Sequence, residues 1–221
     1  MQLFEHVNLS SLDFNLEATT TENGRVYKTP AGNLYPSITT VLSQYNKQGI
    51  LEWRRRVGEA EANKISRRAS SRGTNLHYVC EQYLLNLMNN IRFSMMMPDT
   101  KELFFKIKPI IDENIGKIYA IEQALYSDKL KVAGRVDCIA EWNGKLSIID
   151  FKTSSKLKEE NYIQNYFMQC SAYAEMFGER TGIDIEQIVV LIAVEDDAPQ
   201  TFVKTKYNYL ESLSKLIQSY K

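Results

Sequence analysis

Two carboxylates and an amine stand out by where they fall. Asp137 and Asp150 lie on apolar runs to either side of Asn143-Gly144: Val136 to Trp142 before it, Leu146 to Phe151 after it. Asn-Gly between strand-like runs signals a two-residue hairpin, because both turn residues tolerate positive φ. Counting outward from the turn pairs 137 with 150, so a regular hairpin sets the two acids opposite each other, with Cβ atoms ~4.5–5.5 Å apart. Like charges so placed destabilise a hairpin, and a divalent cation would compensate them. Lys152, two residues beyond Asp150, projects from the same face. Phe151 turns its ring to the core while its backbone carbonyl can still face a metal. Two carboxylates and a carbonyl form a hard oxygen site suited to Mg²⁺, and such a site can hydrolyse a phosphodiester by supplying one or two ions. Lys152 starts near pKa ~10.4. Neighbouring carboxylates favour its charged form, so its role is to position water and stabilise transition-state charge. The competing reading is a surface hairpin with a cross-strand charge cluster.

The elements around this hairpin follow from pattern. Residues 1–24 are a loosely patterned lead-in, and Arg25 to Tyr35 is a small hairpin around Pro30-Ala31-Gly32. Pro36-Ser37-Ile38-Thr39-Thr40 opens a helix with Ser37 as N-cap. The N–H groups there, with Ser37 and Thr39, can receive a phosphate, or Ser37 is an ordinary cap. Leu51 to Ser70 is helical. Between Leu51 and Arg72 seven basic residues stand against three acidic ones. With Trp53 among them they suit a nucleic-acid backbone track; a solvated helix face is the alternative. Ser71-Arg72-Gly73 breaks the pattern, and a second helix runs from Thr74 to about Met88. His77 and Glu81 share a face of it, at a site or at the edge of the core. Asn89 to Pro98 is a loop with an apolar Met95-Met96-Met97 patch. Thr100 to Asn114 is a helix, Lys117 to Ser127 a strand containing Glu122, Glu159 to Phe177 a helix, Ile188 to Val194 a strand covered on both faces, Thr201 to Lys204 an edge strand, and Tyr207 to Tyr220 a helix. This order gives an α/β fold with a mixed sheet. The whole of 1–221 reads as one domain, helical and basic over about 37–114, with the catalytic sheet and helix over about 115–205.

Composition narrows the classes. The formal net charge is zero over 221 residues, so any attraction to nucleic acid must be local. Cys80, Cys138 and Cys170 are scattered and odd in number, which suits reduced thiols and falls short of a four-cysteine iron–sulfur site. No apolar run reaches ~18 residues. No signal or transit peptide pattern opens the chain, which points to a cytoplasmic protein of a bacterial or phage-infected cell.

Four blocks in order, Arg72-Gly73-Thr74 with His77 and Glu81, Gly134-Arg135-Val136-Asp137, Asp150-Phe151-Lys152-Thr153, and Gln169 with Tyr173, resemble the RecB-like exonuclease branch of the PD-(D/E)xK nuclease superfamily. They span Arg72 to Tyr173. The stretch Pro36 to Leu42 adds a nearer resemblance, to exonucleases of the mitochondrial genome maintenance type and similar phage exonucleases. The resemblance implies a restriction-endonuclease-like core, a central mixed β-sheet flanked by helices. It implies Asp137, Asp150, His77 and the Phe151 carbonyl as metal ligands, and Lys152 as the catalytic lysine with the two acids. Gln169 and Tyr173 would support the site and touch substrate, and Glu81 or Glu122 would hold a water of the metal shell or be structural. With a histidine ligand, Mn²⁺ competes with Mg²⁺. The implied activity is a metal-dependent deoxyribonuclease acting on DNA, preferably single-stranded ends, with no nucleotide cofactor, iron–sulfur cluster or membrane partner. A flap or branch endonuclease and a non-catalytic DNA-binding protein of the same fold are the rivals.

Overall fold

The Asn143-Gly144 turn closes with φ of +52° and +76° at its two residues. It joins β5 (Val132–Trp142) to β6 (Lys145–Ser154), with Trp142 opposite Lys145 and Cys138 opposite Ile149. In this computed structural model, which describes residues 3–96 and 98–220, that hairpin is the centre of a five-stranded sheet. Before it, β4 (Ile115–Ser127) lies antiparallel to β5. After it, β7 (Gln187–Val194) runs parallel to β6, and β8 (Gln200–Thr205) returns antiparallel at the edge. Parallel neighbours need a crossover, and α5 (Gln164–Thr181) supplies it. The sheet is mixed and flanked by helices, as expected.

Alternation along β7 divides the core. Ile188, Val190, Ile192 and Val194 pack with α5, while Val189, Leu191 and Ala193 pack against the opposite layer. That opposite layer is α3 (Glu59–Leu84) with α4 (Pro98–Asn114). The short α1 (Ile38–Leu42) and the closing α6 (Leu210–Ser219) join the α5 side. Among the described residues no helix is long and apolar enough to cross a membrane.

Three local differences from the sequence reading have physical causes. The lead-in contains β1 (Glu17–Thr21), which pairs with β2 (Gly24–Lys28) and through it with β3 (Leu34–Pro36) in a small sheet. All five β1 residues are exposed, so no apolar alternation marks them. The helix break expected at Ser71-Arg72-Gly73 is absent. Instead α2 (Lys47–Val57) ends at Gly58, whose φ of +86° suits only glycine, and α3 runs unbroken through Arg72 and Gly73. A glycine inside a helix costs ~1 kcal/mol, which a 26-residue helix packed on the sheet absorbs. Finally, Met97 of the methionine patch lies outside the described residues; Met95 is exposed and Met96 packs on the α3–α4 layer.

Candidate active site

The β5–β6 ladder ends at Cys138 and Ile149, although β6 continues to Ser154 along β7. Beyond that point the two strands splay, and the acids sit in the gap. Asp137 fills the place of a ladder partner: its Oδ2 accepts from the Phe151 N–H at 2.9 Å. The alternation of β5 also changes phase here. Val132 and Val136 pack on the α5 side, whereas Cys138, Ala140 and Trp142 pack on the α3 side. In β4, Leu125 and Ile121 divide in the same way across Glu122. Ile121 faces Cys138 and Gln123 faces Val136, so Glu122 and Asp137 occupy matching positions at the switch. Glu122 has φ +47°, left-handed backbone that a non-glycine residue adopts at a cost of ~1–3 kcal/mol. The Arg135 Nη1 donates to its carbonyl at 2.8 Å and holds the bend.

The phase change turns Asp137 and Glu122 toward α3. There His77 Nδ1 stands 3.5 Å from Asp137 Oδ1 and 4.0 Å from Glu122 Oε1. These three side chains offer ligand atoms that all lie within 4.8 Å of one another. Asp150 belongs to the other side of the gap. Its Oδ1 accepts from Gln169 Nε2 at 3.2 Å, and its Oδ2 meets the Lys152 ammonium. Gln169 Nε2 also reaches the Tyr173 hydroxyl at 3.5 Å. The Lys152 Nζ lies 5.2 Å from the centre of the Tyr166 ring. Tyr173 in turn packs where β5 has Gly134: a Cβ there would come within 2.8 Å of Tyr173 Cε1 and 3.1 Å of Ile38 Cγ2. The glycine of Gly134-Arg135-Val136-Asp137 is therefore what lets α5 approach the acids.

Electrostatically the site holds more negative than positive charge. Burial first, then Asp137, pushes the Glu122 carboxyl up to about 7, with His77 pulling the other way. Burial also raises Asp150; Lys152 opposes that and Asp137 adds to it. Burial works against the Lys152 ammonium, but Asp150 and Asp137 together outweigh it and hold its pKa above the usual range. An acid that resists ionising beside another acid and a histidine marks a place that a cation would complete. The donor set, two carboxylates and an imidazole, fits Mg²⁺ or Mn²⁺.

A sequence profile of the PD-(D/E)XK nuclease superfamily matches residues 50–219. The chain belongs to that superfamily. As a PD-(D/E)XK protein it has relatives named mitochondrial genome maintenance exonuclease 1. The human protein is 27% identical over 183 residues, covering 76% of this chain and 51% of its own length. The mouse protein is 28% identical over 180 residues, covering 76% and 52%. The chain thus spans about half the length of these relatives. A crystal structure of a candidate exonuclease from Eubacterium rectale superposes with a TM-score of 0.50 over 67% of this chain and 64% of that one, at 10% identity, and so shows the shared fold.

Within this PD-(D/E)XK fold the expected residues take different places. His77, Asp137, Asp150, Lys152, Gln169 and Tyr173 converge, but in two groups rather than one. Asp150 contacts Lys152 and Gln169 and feels the charges of Asp137 and His77, while Glu122 joins His77 and Asp137 with ligand atoms within 4.8 Å of one another. Phe151 contributes its N–H to Asp137 and buries its ring. Glu81 lines the same cleft as His77 and Glu122. Three residues expected to meet substrate are otherwise engaged or placed. Arg72 is buried and pairs with Glu195 Oε1 at 2.7 Å, a residue at the far end of β7. Ser37 is buried, and its hydroxyl accepts from Thr39 N–H at 3.2 Å and meets Thr39 Oγ1 at 2.6 Å, so it acts as the ordinary cap of a five-residue helix. Thr39 is exposed on the β1–β2 side, beside Glu22 and Asn23. Sequence reasoning missed Tyr166, although it sits one helical turn before Gln169, on the same face of α5.

Proposed function

We propose that this chain is a metal-dependent DNA exonuclease that hydrolyses phosphodiester bonds, acting from single-stranded ends. The observation that carries the reading is the meeting of an acid-rich cluster, His77 with Glu122 and Asp137, and Lys152, whose charged form Asp150 and Asp137 favour, across one strand gap. His77, Glu122 and Asp137 would hold the cation, with Asp150 turned to Lys152. Bound there, Mg²⁺ or Mn²⁺ would polarise a phosphoryl oxygen and acidify the attacking water.

The chain's own residues then divide the work. Lys152, held charged by Asp150 and Asp137, orients the water and stabilises the charge that builds on the phosphate. Asp150 and Tyr166 keep its ammonium in place, and Gln169 keeps Asp150 in place. The end preference is supported by the names of the relatives and by the basic α2. Arg55 and Arg56 there are exposed, and Trp53 is part-buried beside them, a combination that tracks a backbone without reading bases.

The test is digestion of end-labelled single- and double-stranded DNA with Mg²⁺ or Mn²⁺ and then with EDTA, with circular single-stranded DNA alongside. The expected result is metal-dependent shortening of linear single strands and an intact circle. Cutting of the circle would make the chain an endonuclease, and metal-supplied protein that leaves every substrate whole would overturn the enzymatic reading.

A further inference from the structure

The cleft in front of the acid cluster is also lined by residues that the chemistry above does not use, Tyr78 and Arg25 among them. α3 contributes Gly73, His77, Tyr78 and Glu81, β4 contributes Glu122, and β2 contributes Arg25. Among the described residues lining it, Arg25 is the one lysine or arginine. A phosphate chain entering past Glu81 and Glu122 needs a positive group on its far flank.

Three of the six arginines of α2 and α3 are engaged in ion pairs. Arg54 pairs with Glu59, Arg68 with Asp99 and Glu195, and Arg72 with Glu195. Arg25 forms no ion pair among the described residues; its Nε donates to Thr20 Oγ1 at 3.4 Å, which leaves its terminal nitrogens open. Its backbone, by contrast, is fixed. The N–H donates to Thr40 Oγ1 at 3.1 Å, and the carbonyl accepts from Ser37 N–H at 2.7 Å. The neighbouring Gly24 makes this docking feasible, since a Cβ there would fall 2.3 Å from Thr40 Cγ2. Arg25 is thus an uncommitted guanidinium on a fixed base. In the same cleft Tyr78 is 40% exposed and makes no hydrogen bond among the described residues. An open aromatic face beside a phosphate-binding cation is the pairing that holds a single nucleotide.

We propose that Arg25 and Tyr78 form a nucleotide-positioning subsite at the mouth of the acid cleft. Arg25 pairs with the phosphate next to the one being cut, and Tyr78 stacks on the base between them. The proposal rests on the nuclease reading and adds where the strand is gripped. It makes both residues positioning groups that act on binding more than on the chemical step.

Initial rates of Arg25→Ala, Arg25→Lys and Tyr78→Ala on an end-labelled single-stranded oligonucleotide, across substrate and salt concentration, test it. Arg25→Ala should raise KM about tenfold with little change in kcat and flatten the salt slope by about one unit; Arg25→Lys should recover part of both. Tyr78→Ala should raise KM about tenfold on ordinary DNA, and an abasic residue at the gripped position should remove the difference from wild type. Binding of a fluorescent oligonucleotide to Lys152→Ala protein, with and without Arg25→Ala, repeats the comparison without cleavage. An unchanged KM and salt slope in folded Arg25→Ala, from an enzyme that cuts, overturns the subsite and leaves the nuclease reading intact. A wild type that never cuts, with the binding differences present, overturns the nuclease reading and leaves the subsite.

Discussion

Of the lysines paired with carboxylates in this protein, Lys206 and Lys152 are opposites. Lys206 is the deeper one, with 4% of its side chain exposed. It reaches Glu175 Oε1 at 2.8 Å and Asp184 Oδ1 at 2.5 Å, and those acids remain 31% and 62% exposed. Its hydrogen bond holds the Asp184 carboxyl below the usual range. Lys152 is more open, but its partner Asp150 is 1% exposed and is raised by burial. Around Lys206 the negative charge stays in water while the amine is covered. Around Lys152 the negative charge is itself buried, with Asp137 and Glu122 adding to it. The first arrangement relieves its charges locally. The second accumulates them, which costs stability and fits the catalytic role proposed for the site.

The sharpest way to break this contrast is to remove each lysine. Lys152→Ala or Asp150→Ala should abolish cleavage, with kcat down about 10³-fold or more, and leave DNA binding largely intact; Asp150→Asn, which keeps the shape, should do the same without unfolding. Lys206→Met should leave the rate per folded molecule unchanged and lower stability by about 1–3 kcal/mol, less than for a fully buried pair because its acids regain water. Rates and urea unfolding midpoints measured on the same preparations separate the outcomes. A Lys206 variant that lost activity as Lys152→Ala does would erase the distinction.

Glu122→Gln tests the accumulated charge directly. Taking away an acid held up at about 7 should weaken Mn²⁺ or Mg²⁺ binding about 10–100-fold by calorimetry. In EDTA at neutral pH the same change should stabilise the fold by about 1 kcal/mol, raising Tm by ~2–4 °C. A variant less stable than wild type without metal would show that Glu122 is a structural acid.

Much of this layout was legible in the chain because strands advertise themselves by alternation. The Asn143-Gly144 turn fixed the pairing of β5 with β6, and the unbroken run Ile188 to Val194 announced a strand covered on both faces. The same signal left Glu122 between an accessory role and a structural one. At the position where β4 and β5 change phase, alternation stops being informative, and nothing local reveals a φ of +47° at a glutamate. Arg72 misled for a different reason. Its partner Glu195 lies at the end of β7, and only the folded sheet brings them together. Gly58 and Gly73 look alike in sequence; a helix can continue through one and not the other because only Gly58 has positive φ. Arg25 carried no signal at all, since the role proposed for it depends on its forming no ion pair among the described residues.

Tyr166 asks how much of the Lys152 arrangement is positioning. Its ring faces the ammonium at 5.2 Å, a contact of about 0.5–2 kcal/mol. Tyr166→Leu should therefore lower kcat about 3–10-fold and leave KM nearly unchanged, and Tyr166→Phe should restore most of the loss because the ring, not the hydroxyl, faces the amine. Equal losses in both variants would move the role to the hydroxyl.

The smallest effect belongs to the stabilising lysine. Asp184 has a folded pKa depressed by Lys206 and Tyr207, so the unfolded chain binds the proton more readily. Its contribution is present above the unfolded carboxylate value near ~3.9 and is lost as pH falls through the lower folded value. Asp184→Asn should thus reduce Tm slightly at pH 7, by a degree or so, since the group is largely in water and screened. The deficit should shrink toward zero as pH drops below that range. Melting curves of the two proteins between acid and neutral pH read this out. A deficit that grew on acidification would reverse the sign and place Asp184 with the buried acids of the strand gap, removing the ground on which the two lysines were set apart.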